Sequence, residues 1–247
     1  MIENNTAWYK TWFDTPFYHT LYEDRNLSEA QFFLQNLIQH LPIKPQDCIL
    51  DIACGRGRHA LYLAAEGFRV TGIDLSPNSI LYAQQEAKKR ALDATFYVHD
   101  MRETTQEKVD VLLNIFTSIG YFEDVNDNTK ALQAFYNSLV KGGIAVIDFL
   151  YVPWVQKHWI ADEIVTKGNI TFTLNRSFLD GWIEKHISFS HDFKPYTFRE
   201  RVRALTLSDF EQMCKTVGLR IAKIFGDYAL NPFDTKTAKR LILVLQK

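Results

Sequence analysis

Ile49-Leu50-Asp51-Ile52-Ala53-Cys54-Gly55-Arg56-Gly57-Arg58-His59-Ala60 is the stretch on which the reading of this 247-residue chain turns. The apolar run after Pro45 has the composition of a buried strand, and it closes on an acid and two glycines. Ala60-Leu61-Tyr62-Leu63-Ala64-Ala65 then has the composition of a helix. A strand that turns through glycine into a helix offers a ligand unpaired backbone N–H groups and a backbone free of side chains. Two ligand classes suit such a turn. Gly55-x-Gly57-x-x-Ala60 fits a dinucleotide fingerprint, in which a pyrophosphate rests on the helix N-terminus. Asp51 argues the other way: a carboxylate ahead of the first glycine repels a pyrophosphate and suits a ligand carrying an ammonium group.

Further strands follow in order. Phe68-Arg69-Val70-Thr71-Gly72-Ile73-Asp74 reads as the second, with Leu75-Ser76-Pro77 restarting a helix. Asp74 at its end can accept from both hydroxyls of a ribose, in charge-assisted hydrogen bonds of about 1.5–3 kcal/mol each; its plainer role is a helix cap. Ala94 to His99 is the third strand and leads into Asp100-Met101. The fourth, Val109 to Phe116, is followed by Thr117-Ser118-Ile119-Gly120-Tyr121-Phe122. A helix from about Asn126 to Leu139 and a turn at Lys141-Gly142-Gly143 lead to the fifth, Ile144 to Leu150. Strand and helix patterns that alternate in this way imply a parallel sheet wound with right-handed crossovers.

The acid-x-Ala-Cys-Gly-x-Gly pattern from Asp51 to Gly57, with acids closing or following the next two strands, resembles the motif series of the class I S-adenosylmethionine-dependent methyltransferases, small-molecule branch. Ile49 to Ala83, including Ala53-Cys54-Gly55 and Glu66-Gly67-Phe68, is similar to the glycine N-methyltransferase-like enzymes. S-adenosylmethionine has an α-ammonium, a sulfonium and no phosphate, in accord with Asp51. The resemblance implies a Rossmann-like seven-stranded, mostly parallel sheet with an antiparallel closing hairpin. It implies S-adenosylmethionine as cofactor and S-adenosylhomocysteine as product. The cofactor contacts it implies are Asp51, Ala53, Cys54, Gly55, Gly57, Asp74, Leu75, Asp100, Met101, Asn114 and Phe116. Within that set Asp100 accepts from the adenine amino group, Met101 gives a backbone N–H and apolar packing, and the loop after the fourth strand holds the reacting methyl group. Asn114-Ile115-Phe116-Thr117 lacks the prolines of the Asn/Asp-Pro-Pro-Tyr/Phe motif, which argues against nucleobase or glutamine amides as acceptors.

After about residue 150 the period changes. Ile164-Val165-Thr166, Ile170 to Leu174, Trp182 to Phe189 and Thr197 to Arg203 alternate at period two, with Gly168-Asn169 and Asp180-Gly181 as hairpin turns. This predicts a small antiparallel β insertion across 151–204. Thr206 or Ser208 caps a helix over Asp209 to Val217, stopped by Gly218. Leu219 to Tyr228 and Arg240 to Gln246 then read as closing strands. Repeats, low-complexity tracts and linkers are absent, so residues 1–247 are expected to form a single domain.

Upstream, Ser28 suits the cap of a helix over about 27–41. Before it, residues 1–26 carry Trp8, Tyr9, Trp12, Phe13, Phe17, Tyr18 and Tyr22. That density fits either a helix packed on the core or a lid over the cofactor. In small-molecule methyltransferases such a leader brings an arginine to the methionyl carboxylate. Arg25 is the residue to which the resemblance points, since a guanidinium binds a carboxylate in bidentate fashion.

A net charge of -1 leaves no overall electrostatic footprint for nucleic acid or an anionic membrane. Three cysteines, Cys48, Cys54 and Cys214, form neither a metal-ligand pattern nor a disulfide framework. No metal site is expected. The start of the chain lacks the basic and apolar runs of a signal peptide, and a cytoplasmic enzyme is expected. In-line displacement from a sulfonium asks the protein mainly to align the acceptor and exclude water, which is worth roughly 7–11 kcal/mol. No catalytic base is singled out. Candidates for the wall of the acceptor pocket are Tyr18, Ser118, Tyr121, Tyr151, Trp154, Arg199 and Arg201, the last two sharing one strand face that suits an acidic small-molecule acceptor. The sequence leaves open a non-catalytic S-adenosylmethionine-binding protein and an NAD(P)-dependent oxidoreductase, the latter opposed by Asp51 and the closing hairpin.

Overall fold

The computed structural model describes residues 7–23 and 27–247. It opens with two short helices, α1 (Trp8–Trp12) and α2 (Pro16–Leu21), and a longer one, α3 (Leu27–His40). There follow β1 (Cys48–Ile52), α4 (Arg58–Ala65), β2 (Arg69–Asp74), α5 (Pro77–Lys89), β3 (Ala94–Val98), β4 (Val109–Asn114), α6 (Val125–Ser138) and β5 (Leu139–Leu150). A short helix, α7 (Val152–Lys157), leads into β6 (Asp162–Lys167), β7 (Ile170–Leu179), β8 (Trp182–His191) and β9 (Lys194–Arg203). The chain finishes with α8 (Leu207–Val217), β10 (Arg220–Phe225) and β11 (Arg240–Gln246). Arg25 lies outside the described residues.

Seven strands form the main sheet in the order β10-β11-β5-β4-β1-β2-β3. β1 to β5 pair in parallel, and β11 enters antiparallel between β5 and β10. Chain order reverses beside β1, and an open α/β sheet binds ligands in the crevice this creates at the carboxyl ends of its strands. Successive strand residues serve opposite faces. Ile49, Val111 and Val146 pack under α3, α4 and α5 through Phe33, Leu63 and Ala83, while Leu50, Leu112 and Ile147 pack under α6 and α8 through Phe135 and Phe210. Strands covered on both sides must be apolar nearly throughout. The acids among them therefore need a reason.

Local signals set the helix ends. Gly57 caps α4 at a φ of 76°, where a side chain is strained, and a Cβ there would lie 2.9 Å from the Phe96 ring. The same ring excludes a side chain at Gly72, where a Cβ would come within 2.5 Å. Thr206 is the cap of α8, in a capping box with Asp209, and Gly218 ends that helix in the left-handed conformation. Ser28 falls inside the first turn of α3 rather than at its cap. Lys141-Gly142-Gly143, expected as a turn, is absorbed into β5. The chain bulges there, so that Val109 pairs with Leu139 but Val111 with Ile144.

β6 to β9 form a separate antiparallel sheet. Its first two hairpins turn where the glycines predict, and the third turns on Asp192 and Phe193, both at positive φ without a glycine to mark them. One face of this sheet is covered by the leader: Trp8, Trp12 and Leu21 share a core with Ile170, Phe172, Leu174, Ile187 and Phe189. Among the described residues no helix is long and apolar enough to cross a membrane, and no side-chain cluster has a metal-ligand arrangement.

Candidate active site

A cavity of about 560 Å³ opens where β1 to β4 end. Its floor is Ala53, Cys54 and Gly55 after β1, Asp74, Leu75 and Ser76 after β2, His99 and Met101 after β3, and Ile115 and Phe116 after β4. Its roof is the leader, through Tyr9, Phe13, Tyr18, His19 and Tyr22. The aromatic leader divides between the core and the cavity wall. Trp8 and Trp12 are core, while the tyrosines face the cavity. Asp14, in the loop between α1 and α2, fastens the roof to the first turn of α5: it accepts from Ser76 Oγ, from Asn78 N at 3.2 Å and from Asn78 Nδ2 at 2.9 Å.

Asp74 stands at the edge of this cavity and organises its backbone. Oδ2 accepts from Gly55 N and Oδ1 from Ser76 N, both at 2.8 Å, leaving each oxygen a further lone pair for a ribose hydroxyl. Burial raises its pKa against the lowering effect of those amides. Asp74→Ala is expected to weaken S-adenosylmethionine binding at least tenfold by calorimetry, because the glycine turn and the hydroxyls lose one acceptor together. An unchanged dissociation constant would reduce Asp74 to a cap.

Asp51, Gly57 and Asn114 are buried behind the Ala53–Gly55 turn rather than on the cavity wall. Asp51 is 1% exposed, and its Oδ2 has no hydrogen-bond partner among the described residues; nor has Asn114 Oδ1. Burial pushes the Asp51 carboxyl up to about 7, against the amide of Ala60 and with the repulsion of Asp74 added. An ammonium group is the natural complement of such a carboxyl, and the amino-acid end of S-adenosylmethionine, if held at the Ala53–Gly55 turn, would act on Asp51 from across that turn. At pH 7 cofactor binding is therefore expected to release up to roughly half a proton from Asp51, and affinity to rise between pH 6 and 8. Calorimetry in buffers of different ionisation enthalpy measures this. Binding without proton release, or with uptake, would contradict the assignment.

Asp100 departs from expectation. Its carboxylate takes a bidentate pair from Arg102, at 3.0 Å from Nε and 2.6 Å from Nη2, and also the Arg102 amide. Burial works to raise its pKa, but Arg102 outweighs it and holds the group low. Asp100 is thus paired with Arg102 and is not among the residues that line the cavity, whereas its neighbours His99 and Met101 are.

A second cavity of about 360 Å³ shares Tyr22, Phe116 and Tyr121 with the first and continues over Thr117, Trp154, Trp159, Arg176, Lys185, Glu200 and Val202. Of the expected acceptor residues, Tyr121 lines both cavities, Trp154 the second, and Tyr18 and Ser118 the first. Tyr151 does not reach either: its ring meets Phe233 and its hydroxyl donates to Thr235 O. Arg199 and Arg201 are also displaced. Strand alternation puts them on the opposite face of β9 from Glu200, and Arg201 is held by Glu123 and Glu184 over the Trp182 ring. The carboxylate between the two arginines is the one that faces the cavity. It accepts from Trp12 Nε1 at 2.8 Å, Tyr22 OH at 2.7 Å and Lys185 Nζ at 3.0 Å, which outweigh burial and keep it ionised.

The turn between the cavities is under strain. Phe116 and Thr117 both have positive φ, 63° and 61°. Asp148, at 0% exposure, pins them: Oδ2 accepts from Phe116 N at 2.9 Å and from Tyr228 OH at 3.1 Å, and its carbonyl accepts from Thr117 N. Arg240 completes the clamp through Nε to Asp148 at 2.7 Å and Nη2 to Thr117 Oγ1 at 2.9 Å. His59 stacks on the Phe116 ring and Arg58 lies over it. Sequence reasoning missed this assembly. The available signal was Asp148 itself, an acid inside an apolar strand, as Asp51 and Asp74 are.

Fold and cavity together define an open α/β sheet with a ligand-sized cavity at the carboxyl ends of its strands. Residues 49–143 match the methyltransferase domain family. The chain is 26% identical over 187 residues, 72% of its length and 77% of the relative's, to dTDP-3-amino-3,4,6-trideoxy-alpha-D-glucopyranose N,N-dimethyltransferase of Streptomyces venezuelae. It is 29% identical over 127 residues, 50% of its length and 46% of the relative's, to glycine/sarcosine N-methyltransferase of Aphanothece halophytica. Its fold is similar to that of an S-adenosylmethionine-dependent methyltransferase from Clostridium acetobutylicum, with a TM-score of 0.78 at 20% identity over 93% of this chain and 96% of the other. The CcbJ methyltransferase from Streptomyces caelestis gives 0.77 at 16% identity over 96% and 98%. Residues 49–143 thus carry a methyltransferase domain, and the relatives support S-adenosylmethionine-dependent methyl transfer by this chain.

Proposed function

We propose that this methyltransferase acts on the amine nitrogen of a small molecule held in the second cavity. The observation that supports this reading is the shared wall of Tyr22, Phe116 and Tyr121, which brings a donor cavity and a separate cavity of small-molecule size together at one place. S-adenosylmethionine supplies a methyl group on a sulfonium, so the chain's own task is alignment and exclusion of water. Tyr121, whose hydroxyl donates to Thr117 O, stiffens the strained turn beside the acceptor. The leader tyrosines close the donor side. Trp154, stacked on His158 at a centroid distance of 4.3 Å, offers a flat face to a ring or an alkylammonium group. Relatives named as N-methyltransferases of amino sugars and of glycine and sarcosine support an amine over an oxygen or carbon acceptor.

The test is methyl transfer from labelled S-adenosylmethionine to a panel of small primary and secondary amines, with alcohols and phenols alongside. Transfer to amines, reduced at least tenfold by Tyr121→Ala, is the expected result. Transfer confined to hydroxyl acceptors would overturn the amine assignment. A protein stabilised against heat by S-adenosylmethionine that methylates nothing in either set would favour the non-catalytic reading.

A further inference from the structure

The inner face of the antiparallel sheet is built in cross-strand rows. Phe189 and Tyr196 form one row, Leu174, Ile187 and Phe198 the next, and Phe178, Ile183 and Val202 the last. Between the last two lies a charged row: Arg176 opposite Lys185, and Lys185 opposite Glu200. The leader packs on the first two rows, with Phe17 against Phe189 and Tyr196 and Trp12 against Phe198, and meets the charged row at its Lys185–Glu200 end through Trp12 Nε1 and Tyr22 OH. The charged row also faces the second cavity, whose wall includes all three residues.

Like charges directly opposite on neighbouring strands are destabilising, and on a core-facing surface the neighbouring rows show what stability alone would select. Arg176 and Lys185 stand side by side with only 22% and 19% of their side chains exposed. Their carboxylate partners lie outside the pair, one at each end. Arg176 Nη2 meets Glu163 at 2.6 Å, on the edge strand β6, and Lys185 meets Glu200 on β9. Arg176 Nη1 also donates to Ile160 O at 3.1 Å and Lys185 Nζ to Tyr22 OH, and both side chains line the cavity. An oxyanion placed between them removes the repulsion and accepts charge-assisted hydrogen bonds from both.

We propose that Arg176 and Lys185 form an oxyanion subsite for the acceptor, so that the molecule methylated is an amine that also bears a carboxylate or a phosphate. The proposal rests on the assignment of the second cavity to the acceptor. It gives that cavity a polarity: the anionic group sits on the sheet row, and the amine end extends toward the wall shared with the donor cavity at Phe116 and Tyr121.

The experiment uses the full chain loaded with S-adenosylhomocysteine, titrated separately with inorganic phosphate and with acetate. Tryptophan fluorescence reports, since Trp154 and Trp159 line the cavity. A saturable change with one of the two anions, weakened at least tenfold by Arg176→Gln and by Lys185→Met, is expected. Phosphate as the better ligand would identify a phosphate ester, and acetate a carboxylic acid. Lys223→Gln, an equal change of charge on exposed β10, should leave the response as it is. Lys185→Met can also loosen the leader through Tyr22 and Glu200, whereas Arg176→Gln touches only the sheet edge, so a loss in Arg176→Gln with unchanged circular dichroism is the diagnostic result. No saturable response to either anion, or equal responses in wild type and Arg176→Gln, overturns the subsite. Amine methylation without anion binding would sink the subsite and leave the acceptor reading intact; anion binding without amine methylation would do the reverse.

Discussion

Asp148→Ala is expected to lower the stability of the fold by about 3 kcal/mol and to abolish most methyl transfer. Removing one partner of a buried, hydrogen-bonded ion pair costs about 3–5 kcal/mol because the other charge is left uncompensated. Arg240 keeps 21% of its side chain exposed, so the lower end of that range applies. The larger consequence is local. Two consecutive non-glycine residues at positive φ cost on the order of 1–3 kcal/mol each and persist only where the surroundings over-determine them. Without the Asp148 carboxylate, Phe116 loses the acceptor for its amide, Tyr228 the acceptor for its hydroxyl and Arg240 its anchor. The turn then relaxes, and the wall common to both cavities shifts. Urea unfolding gives the first number and steady-state kinetics the second. Asp148→Asn, which keeps an acceptor of the same shape, should retain more of both. An Asp148→Ala protein as stable and as active as wild type would show that the turn holds itself.

Trp12→Ala is expected to have an effect of similar size by a different route. Trp12 is 1% exposed, its ring lies 4.5 Å from that of Phe198, and its indole N–H donates to Glu200. Truncating a fully buried aromatic costs about 3–5 kcal/mol. Here that loss is concentrated where the leader meets the second sheet, so the leader should detach before the main sheet melts. S-adenosylmethionine affinity is expected to fall at least tenfold if the first cavity is its site, since Tyr9, Phe13, Tyr18 and Tyr22 roof that cavity. Trp12→Phe keeps most of the packing and should recover most of the affinity. Unimpaired cofactor binding in Trp12→Ala would make the leader mere packing.

Much of this architecture was legible in the chain. The strand–glycine–helix unit around Asp51 and Gly57, the order of strands to Leu150 and the change to period two afterwards all rest on local pattern, and local pattern survives folding. Asp74, Leu75, Met101 and Phe116 fall on the first cavity because each ends a strand or lies in the first three residues after one. What could not be read depends on pairing over distance. The face of β9 that meets the cavity is set by its register with β8 and by the leader packed on it, and a shift of one residue exchanges Arg199 and Arg201 for Glu200. The ion pair of Asp100 with Arg102, two residues on, was not read either, because a turn sequence does not show which way its side chains fold back. Likewise, the clamp on Phe116 joins residues 148, 228 and 240, which no motif connects.

The attachment of the leader at two points bears on how a catalytic cycle opens and closes. Asp14 is tied to the first turn of α5 beside the donor cavity, while Trp12 and Tyr22 are tied to Glu200 beside the other. These anchors lie within a single segment of eleven residues, Trp12 to Tyr22. A segment that short behaves as one strap, so the two compartments share a gate. If the first cavity takes the cofactor and the second the acceptor, one opening movement would release both products, and turnover is expected to be capped by how long the strap stays closed.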